Sequence, residues 1–357
     1  MTNNDKMRNR FRAVLLGCAR GDALGMPVEG WKREQILKYT SGKGITDFIE
    51  PIIVRNGAGE IISEDEYGKL KYWTKDFKKG EWTDDTILTM ALAESIVAMK
   101  GLDLNDIAKR QLREYQIRKR PDGTVFGGFG PTTMKSFENI NNGISPYNSG
   151  VIGGPGNGPA MKMHPIGMYM AATLDLIPGL RYAELVGKIT HLDPRSVASG
   201  TIQAFAIYNL LYENPSRKEF VKSIRQFSSW NEVPVTKKYA LHERGTLNER
   251  IEWISNNMDA ETDEAHRYLK SNSLVFCSYP FALFMFQKFW NEPLKGLIET
   301  VNYGGDCDTT GAIYGALAGA RNGTGMFPES WKKGWNDIER LYSVADGIYS
   351  LGDDGDN

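Results

Sequence analysis

The chain has 357 residues, 41% of them hydrophobic, with 43 Lys and Arg against 44 Asp and Glu and a formal charge of −1. That balance fits a soluble globular protein with room for a large core, and it disfavours nucleic-acid binding driven by bulk positive charge. Three cysteines (Cys18, Cys277, Cys307) are odd in number, widely spaced and without a CxxC pair, and so read as reduced thiols in a cytoplasmic protein.

The amino-terminal MTNNDKMRNRF is charged and lacks the apolar centre of a secretory signal. Met7–Arg20 then places Phe11, Val14, Leu15 and Cys18 on one helical stripe. Gly21, Gly25 and Gly30 read as ending this helix, leaving Asp22 and Glu29 on irregular backbone. Glu29 looks like a positioned loop acid, with a merely solvated carboxylate as the plainer reading. Residues 49–79 are polar and poorly periodic, a peripheral insertion with room for a short hairpin. WTDDT (Trp82–Thr86) opens the next helix, which runs to about Lys100.

Helical spacing continues through Asp103–Arg118, Thr132–Asn141, Ala160–Leu176, Tyr182–His191, Ser196–Glu213 and Lys218–Ser229. Between them, GGFGPTT (Gly127–Thr133) offers Phe126 and Phe129 to stack on a ring or simply to pack. The loop GVIGGPGNGPAMKMHP (Gly150–Pro165) exposes backbone N–H groups suited to anionic oxygens, and Lys162 adds a positive charge. It is neither a dinucleotide fingerprint nor a Walker loop, since no strand precedes it and the GK[ST] ending is missing. In HLDPR, Asp193 and Pro194 read as the cap and first residue of a helix. His191 there is a capping or core-edge residue unless the cleft claims it.

Residues 228–266 are charged and weakly patterned, a second peripheral excursion. Ser273–Phe286 is the most apolar window, but it is short and broken by Pro280, so it reads as a buried helix within Asn272–Trp290 rather than a membrane span. Leu294–Val301, Thr309–Asn322 and Glu329–Gly347 complete the helices, and residues 351–357 form a frayed tail. No alternation of strands and helices appears, and no linker divides the chain. The expectation is an all-α, compact single-domain orthogonal helical bundle over residues 1–350.

Two segments carry most of the chemistry. Val301–Gly311, VNYGGDCDTTG, sets Asp306, Asp308, Thr309 and Thr310 at a helix mouth after two glycines. WTDDT repeats the theme with Asp84 and Asp85. Caps or Asx turns would explain either segment alone. Together they gather four carboxylates with hydroxyls and no imidazole, a donor set for hard cations such as Mg²⁺ or Mn²⁺. Held together in a core, such charge is too costly without metal, and two cations sharing a carboxylate would be a natural arrangement.

The blocks GCARGDALGMPVE, WTDDT, GNGPAMK, ITHLDPR and VNYGGDCDTTGAIYGALAGA span residues 17–320, and in this order the chain resembles the ADP-ribosylglycohydrolase family. The resemblance implies an all-α fold with two Mg²⁺ or Mn²⁺ ions in a central cleft. It implies ligands from Thr83, Asp84 and Asp85 on one side and from Asp306, Asp308 and Thr309 on the other. It makes Glu29 the catalytic loop acid, with Asp84 and Asp85 in the same catalytic group. Gly156, Asn157, Gly158 and Met161 would hold the diphosphate of ADP-ribose, and His191 would line the ligand side. The implied reaction is hydrolysis of the C1″ N- or O-glycosidic bond to an acceptor. An ADP-ribosylated protein or other acceptor is the expected partner, a cognate ADP-ribosyltransferase a further one, and nucleic acid and membrane are not expected. Two alternatives stand beside it: a catalytically weak ADP-ribose binder or toxin-immunity factor, and a Mg²⁺-dependent hydrolase of another nucleotide or nucleoside. Cys307, between two ligands, is expected to point away from the site, yet it is a potential point of oxidative sensitivity.

Overall fold

The structure, a computed structural model, describes residues 2–52, 74, 76–231, 245–333, 335 and 337–352. The amino-terminal part supplies α1 (Asn3–Gly25), α2 (Arg33–Tyr39), α3 (Asp84–Met99), α4 (Leu104–Ile117) and α5 (Pro131–Asn141). The middle supplies α6 (Gly158–Lys162), α7 (His164–Thr173), α8 (Leu176–Thr190), α9 (Pro194–Tyr208) and α10 (Arg217–Asn231). α11 (Leu247–Asn256), α12 (Thr262–Leu269), α13 (Val275–Lys288) and α14 (Pro293–Asn302) follow. α15 (Cys307–Asn322), α16 (Glu329–Lys332) and α17 (Ile338–Ser350) close the series. The fold is all-α; among the described residues the only β contacts are isolated bridges between loops.

The pair α1 and α15 forms the axis of the molecule. The two helices run antiparallel with small residues four apart on each, so that Ala13 meets Gly319, Gly17 meets Gly315 and Gly21 meets Gly311. A methyl group on Gly17 would lie 2.0 Å from the Gly315 carbonyl oxygen, so only glycine permits this approach. Gly21 and Gly25 therefore do not end the helix, as their sequence context implied; they are interior residues that let backbones touch. Asp22 consequently sits inside α1, fully buried, rather than on irregular backbone. Glu29 does lie outside a helix, immediately after a short 3₁₀ turn (Met26–Val28).

Around this axis the apolar helices α3, α7, α9 and α13 contribute mostly buried side chains. Buried Cys18 and Cys277 belong to that core. Pro165 divides the expected Ala160–Leu176 helix into α6 and α7, because a proline cannot donate to the carbonyl four residues back. That carbonyl, of Met161, instead accepts from Thr89 Oγ1 at 3.2 Å. The last expected helix is likewise divided into α16 and α17, with Asp337 between them gripping buried Arg20 at 2.9 and 3.0 Å.

α2 is absent from the elements that helical spacing predicts, and residues 228–266 are weakly patterned in the sequence. Their described part holds α11 and α12, which bury Leu247, Ile251, Ile254, Ala265 and Leu269. The hairpin expected within residues 49–79 falls mostly on 53–73, and the expected tail on 353–357; both lie outside the described residues. No helix among the described residues is long and apolar enough to cross a membrane.

Candidate active site

The glycine seam sets the amino end of α15 beside the carboxyl end of α1. Cys307, the first residue of α15, turns its thiol into this seam and donates to the Gly25 carbonyl at 3.3 Å. It is fully buried and its pKa is pushed far up, by burial first and then by Asp308, so the oxidative sensitivity raised from sequence has no exposed thiolate to act through. With Cys307 turned inward, Asp306 and Asp308 are released to the other side. The preceding turn is fixed by backbone bonds: Gly305 N–H donates to Trp31 O at 2.8 Å and Asp306 N–H to Ser271 O at 2.7 Å. Gly304 and Gly305 have φ of 70° and 73°, a conformation that glycine adopts without strain.

α3 starts on the facing side. Its cap is Thr83, whose Oγ1 lies 3.4 Å from Asp85 N, and its first amides are held by Asp22 from α1. Asp22 accepts from Thr83 N at 3.0 Å, Thr86 N at 3.0 Å and Thr86 Oγ1 at 2.6 Å. Capping is thus done by Thr83 and Asp22, which leaves Asp84 and Asp85 free for another task. The amides that Asp22 holds come from 61 and 64 residues along the chain.

A cleft of about 350 Å³ results. Glu29, Asp84, Asp85, Asp306, Asp308 and Thr309 line its acidic wall. Thr83 is fully buried behind them and donates to Asp85 Oδ2 at 3.1 Å. Carboxylate oxygens of Glu29, Asp306 and Asp308 lie within 4.8 Å of one another. Asp85 is linked to that trio by Thr309, whose hydroxyl donates to Asp85 Oδ2 at 3.2 Å. Asp85 Oδ1 is buried and meets no hydrogen-bond partner among the described residues.

Electrostatically the wall is over-charged. Burial, with repulsion from Asp22 and Asp306, pushes Asp84 up to about 8. Burial and then neighbouring carboxylates raise Asp85 and Asp308 well above the usual range, and burial lifts Asp22 to about 6. Lys162 is the positive group acting on Asp84, and its own burial lowers it to about 7. An oxygen-only donor set, an orphaned buried carboxylate oxygen and mutual repulsion on this scale fit hard divalent cations.

The opposite wall is built by Gly156, Asn157, Gly158, Met161 and His191. Asn157 bridges the two sides, donating to Asp306 Oδ2 at 2.5 Å and to Ser278 Oγ at 3.0 Å. The His191 ring lies against the glycine turn; a Cβ on Gly158 would come within 2.7 Å of it. Its Nδ1 lies 2.9 Å from Thr190 Oγ1, which in turn accepts from Lys162 Nζ at 3.2 Å. Burial, followed by Lys162, lowers His191 to about 3, so the ring is neutral. The helix behind the turn, α6, has only five residues. An anion here would rest on backbone amides and His191 rather than on a long helix dipole.

Thr132, Thr133, Ser273 and Leu274 also line the cleft, and nothing local in the sequence marked the last two. They arrive through loop pairing, with Val275 N–H donating to Pro155 O at 2.7 Å. Of the two roles open to Phe126 and Phe129, the structure shows packing: Phe129 is buried against Tyr115 and Phe137, and Phe126 packs on Phe77.

The family model described as ADP-ribosylglycohydrolase matches residues 3–357. The chain is 29% identical to an uncharacterised protein of Archaeoglobus fulgidus over 97% of both chains. It is 25% identical to ADP-ribosylhydrolase ARH3 of Homo sapiens, covering 96% of this chain and 93% of that one. It is 26% identical to ADP-ribosyl-[dinitrogen reductase] glycohydrolase of Rhodospirillum rubrum, covering 91% of this chain and 90% of that one. Among solved structures, an ADP-ribosylglycohydrolase-related protein complex superposes with a TM-score of 0.66 at 24% identity, covering 98% of this chain and 99% of that one, which shows a shared fold.

Proposed function

The chain belongs to the ADP-ribosylglycohydrolase family, and from that premise we propose that it releases ADP-ribose from a modified acceptor by hydrolysing the C1″ N- or O-glycosidic bond. The observation that carries this reading is the convergence of half-buried Glu29 with buried Asp84, Asp85, Asp306, Asp308 and Thr309 on one wall facing the Gly156–Gly158 turn. Two Mg²⁺ or Mn²⁺ ions would be held by Thr83, Asp84, Asp85, Asp306, Asp308 and Thr309, with Thr83 also donating to Asp85. When bound, such cations neutralise the carboxylates and lower the pKa of water at neutral pH.

The residues of the chain supply the rest. Asn157 fixes the Asp306 carboxylate, and Thr83 and Thr309 fix that of Asp85, so these acids are preorganised. Positive charge developing at C1″ as the bond breaks would face this acidic wall. Glu29, half-buried and outside any helix, is the candidate to move a proton between water and the departing acceptor, with Asp84 as the other. Gly156 and Gly158 would admit the diphosphate to backbone amides beside neutral His191, while Met161 closes the apolar side. The acceptor would be an ADP-ribosylated protein or another ADP-ribosylated molecule, with a cognate transferase as a further partner. Three buried free thiols accord with work in the reducing cytoplasm.

Product analysis tests the reading. Substrates of defined ADP-ribosyl linkage, incubated with Mg²⁺ or Mn²⁺, are expected to yield free ADP-ribose, and chelator is expected to stop it. AMP or inorganic phosphate as the product would point to a different hydrolase on the same scaffold.

A further inference from the structure

A second and larger cleft, of about 890 Å³, adjoins the acidic one. The same chain crossings serve both: Glu29, Asp306 and Ser273 line the first cleft, while Gly30, Gly305 and Asn272 line the second. The wall between them is hydrogen-bonded backbone, with Gly30 N–H donating to Gly305 O at 2.7 Å beside the Gly305–Trp31 and Asp306–Ser271 bonds. An acceptor departing next to Glu29 therefore has this cleft at its side.

Its lining is cationic. Lys32, Arg33, Arg267 and Lys270 outnumber Glu34 and Asp263. Asp263 is already engaged, accepting from Tyr303 Oη at 2.6 Å, and Arg33 lies 4.2 Å over the Tyr303 ring with Glu299 at 3.4 Å. Arg267 and Lys270 are exposed and make no ion pair among the described residues. Lys270 also has φ 64° and ψ 169°, a region that is nearly confined to glycine and that collects at ligand sites. A glycine would suit that backbone better; the lysine retains a cation at the lip of the wall.

We propose that this cleft binds acidic residues flanking the modified side chain of a protein acceptor, an extension that rests on the function proposed above. A volume of this order is that of a ligand cleft, and a short acidic segment needs only a few opposite charges to be steered and placed. A nucleic-acid strand presents a phosphate at every step and wants an unbroken basic track; here Glu34 and Asp263 interrupt it and the chain as a whole carries −1.

The test compares the wild type with Arg267→Glu/Lys270→Gly, in which the second change relieves the backbone. Substrates are ADP-ribosylated peptides with Asp and Glu flanks, the same peptides with Lys flanks, and an ADP-ribosylated acceptor without flanks. The wild type is expected to show a KM about fivefold lower for acidic flanks, as a few exposed charge pairs allow. The variant should lose that preference while kcat and the flank-free substrate stay unchanged. Equal KM values in the wild type, or a preference that survives in the variant, would overturn the proposal. Calorimetry with an unmodified Glu-rich pentapeptide separates the two readings. Binding that the variant loses, without turnover of any substrate, would sink the hydrolase and leave the acidic-segment site standing. Turnover with neither flank preference nor peptide binding would do the reverse. A single-stranded oligonucleotide that displaces the peptide more tightly than the peptide binds would overturn the site as well.

Discussion

A methyl group on Gly21 of α1 would lie 2.0 Å from the Gly311 carbonyl oxygen of α15, and one on Gly311 would lie 2.4 Å from that of Gly21. On an isolated helix, Gly→Ala stabilises by about 1 kcal/mol. In this seam the sign reverses, because the obstacle is backbone and cannot rotate away. Gly21→Ala is expected to lower the unfolding free energy by about 3 kcal/mol or more, as overpacking of a rigid contact does. Denaturant titration checks it, with Gly101→Ala, where a Cβ meets nothing within 4 Å, expected to stay within about 0.5 kcal/mol of the wild type.

That seam also marks where sequence reasoning stopped. Gly21 and Gly25 read as helix breakers because their justification is α15, nearly three hundred residues away. The acidic groups were legible, since WTDDT and GGDCDTTG place carboxylates and hydroxyls together within a few residues. Their separation from ordinary caps was not, because it depends on Asp22 reaching Thr83 and Thr86 across the core. α11 was missed although its signal was present: Thr246 and Glu249 form a capping box ahead of buried Leu247, Ile251 and Ile254. Ser273 and Leu274 had no local signal, for only the pairing of their loop with residues 155–156 brings them to the cleft.

The acidic wall makes a direct prediction about cations. Asp306→Asn with Asp308→Asn removes two charges from a group whose oxygens lie within 4.8 Å of Glu29, while the changed side chains keep their shape. The helical circular dichroism should be preserved. Mg²⁺ or Mn²⁺ should raise the melting temperature of the wild type but not of this variant, since a ligand stabilises only the state that binds it. Release of ADP-ribose from a modified substrate should fall to background. A variant that still gains thermal stability with cation, or that turns over in chelator, would place the cation elsewhere or remove it from the reaction.

Asn157 offers a finer probe, because it touches Asp306 from the opposite wall. Its amide donates to Asp306 Oδ2 at 2.5 Å and to Ser278 Oγ at 3.0 Å, so it orients the acid. Partners that orient ligands are typically worth about 10–100-fold in metal affinity. Asn157→Ala is expected to weaken Mn²⁺ binding by about that factor, read by calorimetry, and to shift the cation concentration needed for activity in proportion. A loss of activity at saturating cation with unchanged cation affinity would assign Asn157 to the organic substrate instead.

His164 supplies a test of pH dependence away from the acidic wall. It is fully buried at the start of α7, with Gln203 Nε2 3.0 Å from its Nδ1 and no hydrogen-bond partner for Nε2 among the described residues. Burial lowers it from 6.5 to about 3, opposed in part by the Met161 carbonyl. Between those values the unfolded chain holds a proton that the folded chain does not, so unfolding takes up protons. The contribution of His164 to stability is therefore fully present above pH 6.5 and is lost as the pH falls toward 3. One such proton gives a slope of at most about 1.4 kcal/mol per pH unit. His164→Gln keeps a polar partner for Gln203 but cannot titrate. Its unfolding free energy, measured by urea titration from pH 7 to pH 5, should fall less steeply than that of the wild type, with the other titrating groups common to both. Parallel slopes would mean that His164 binds its proton as readily in the fold as in the unfolded chain, with the Met161 carbonyl outweighing burial.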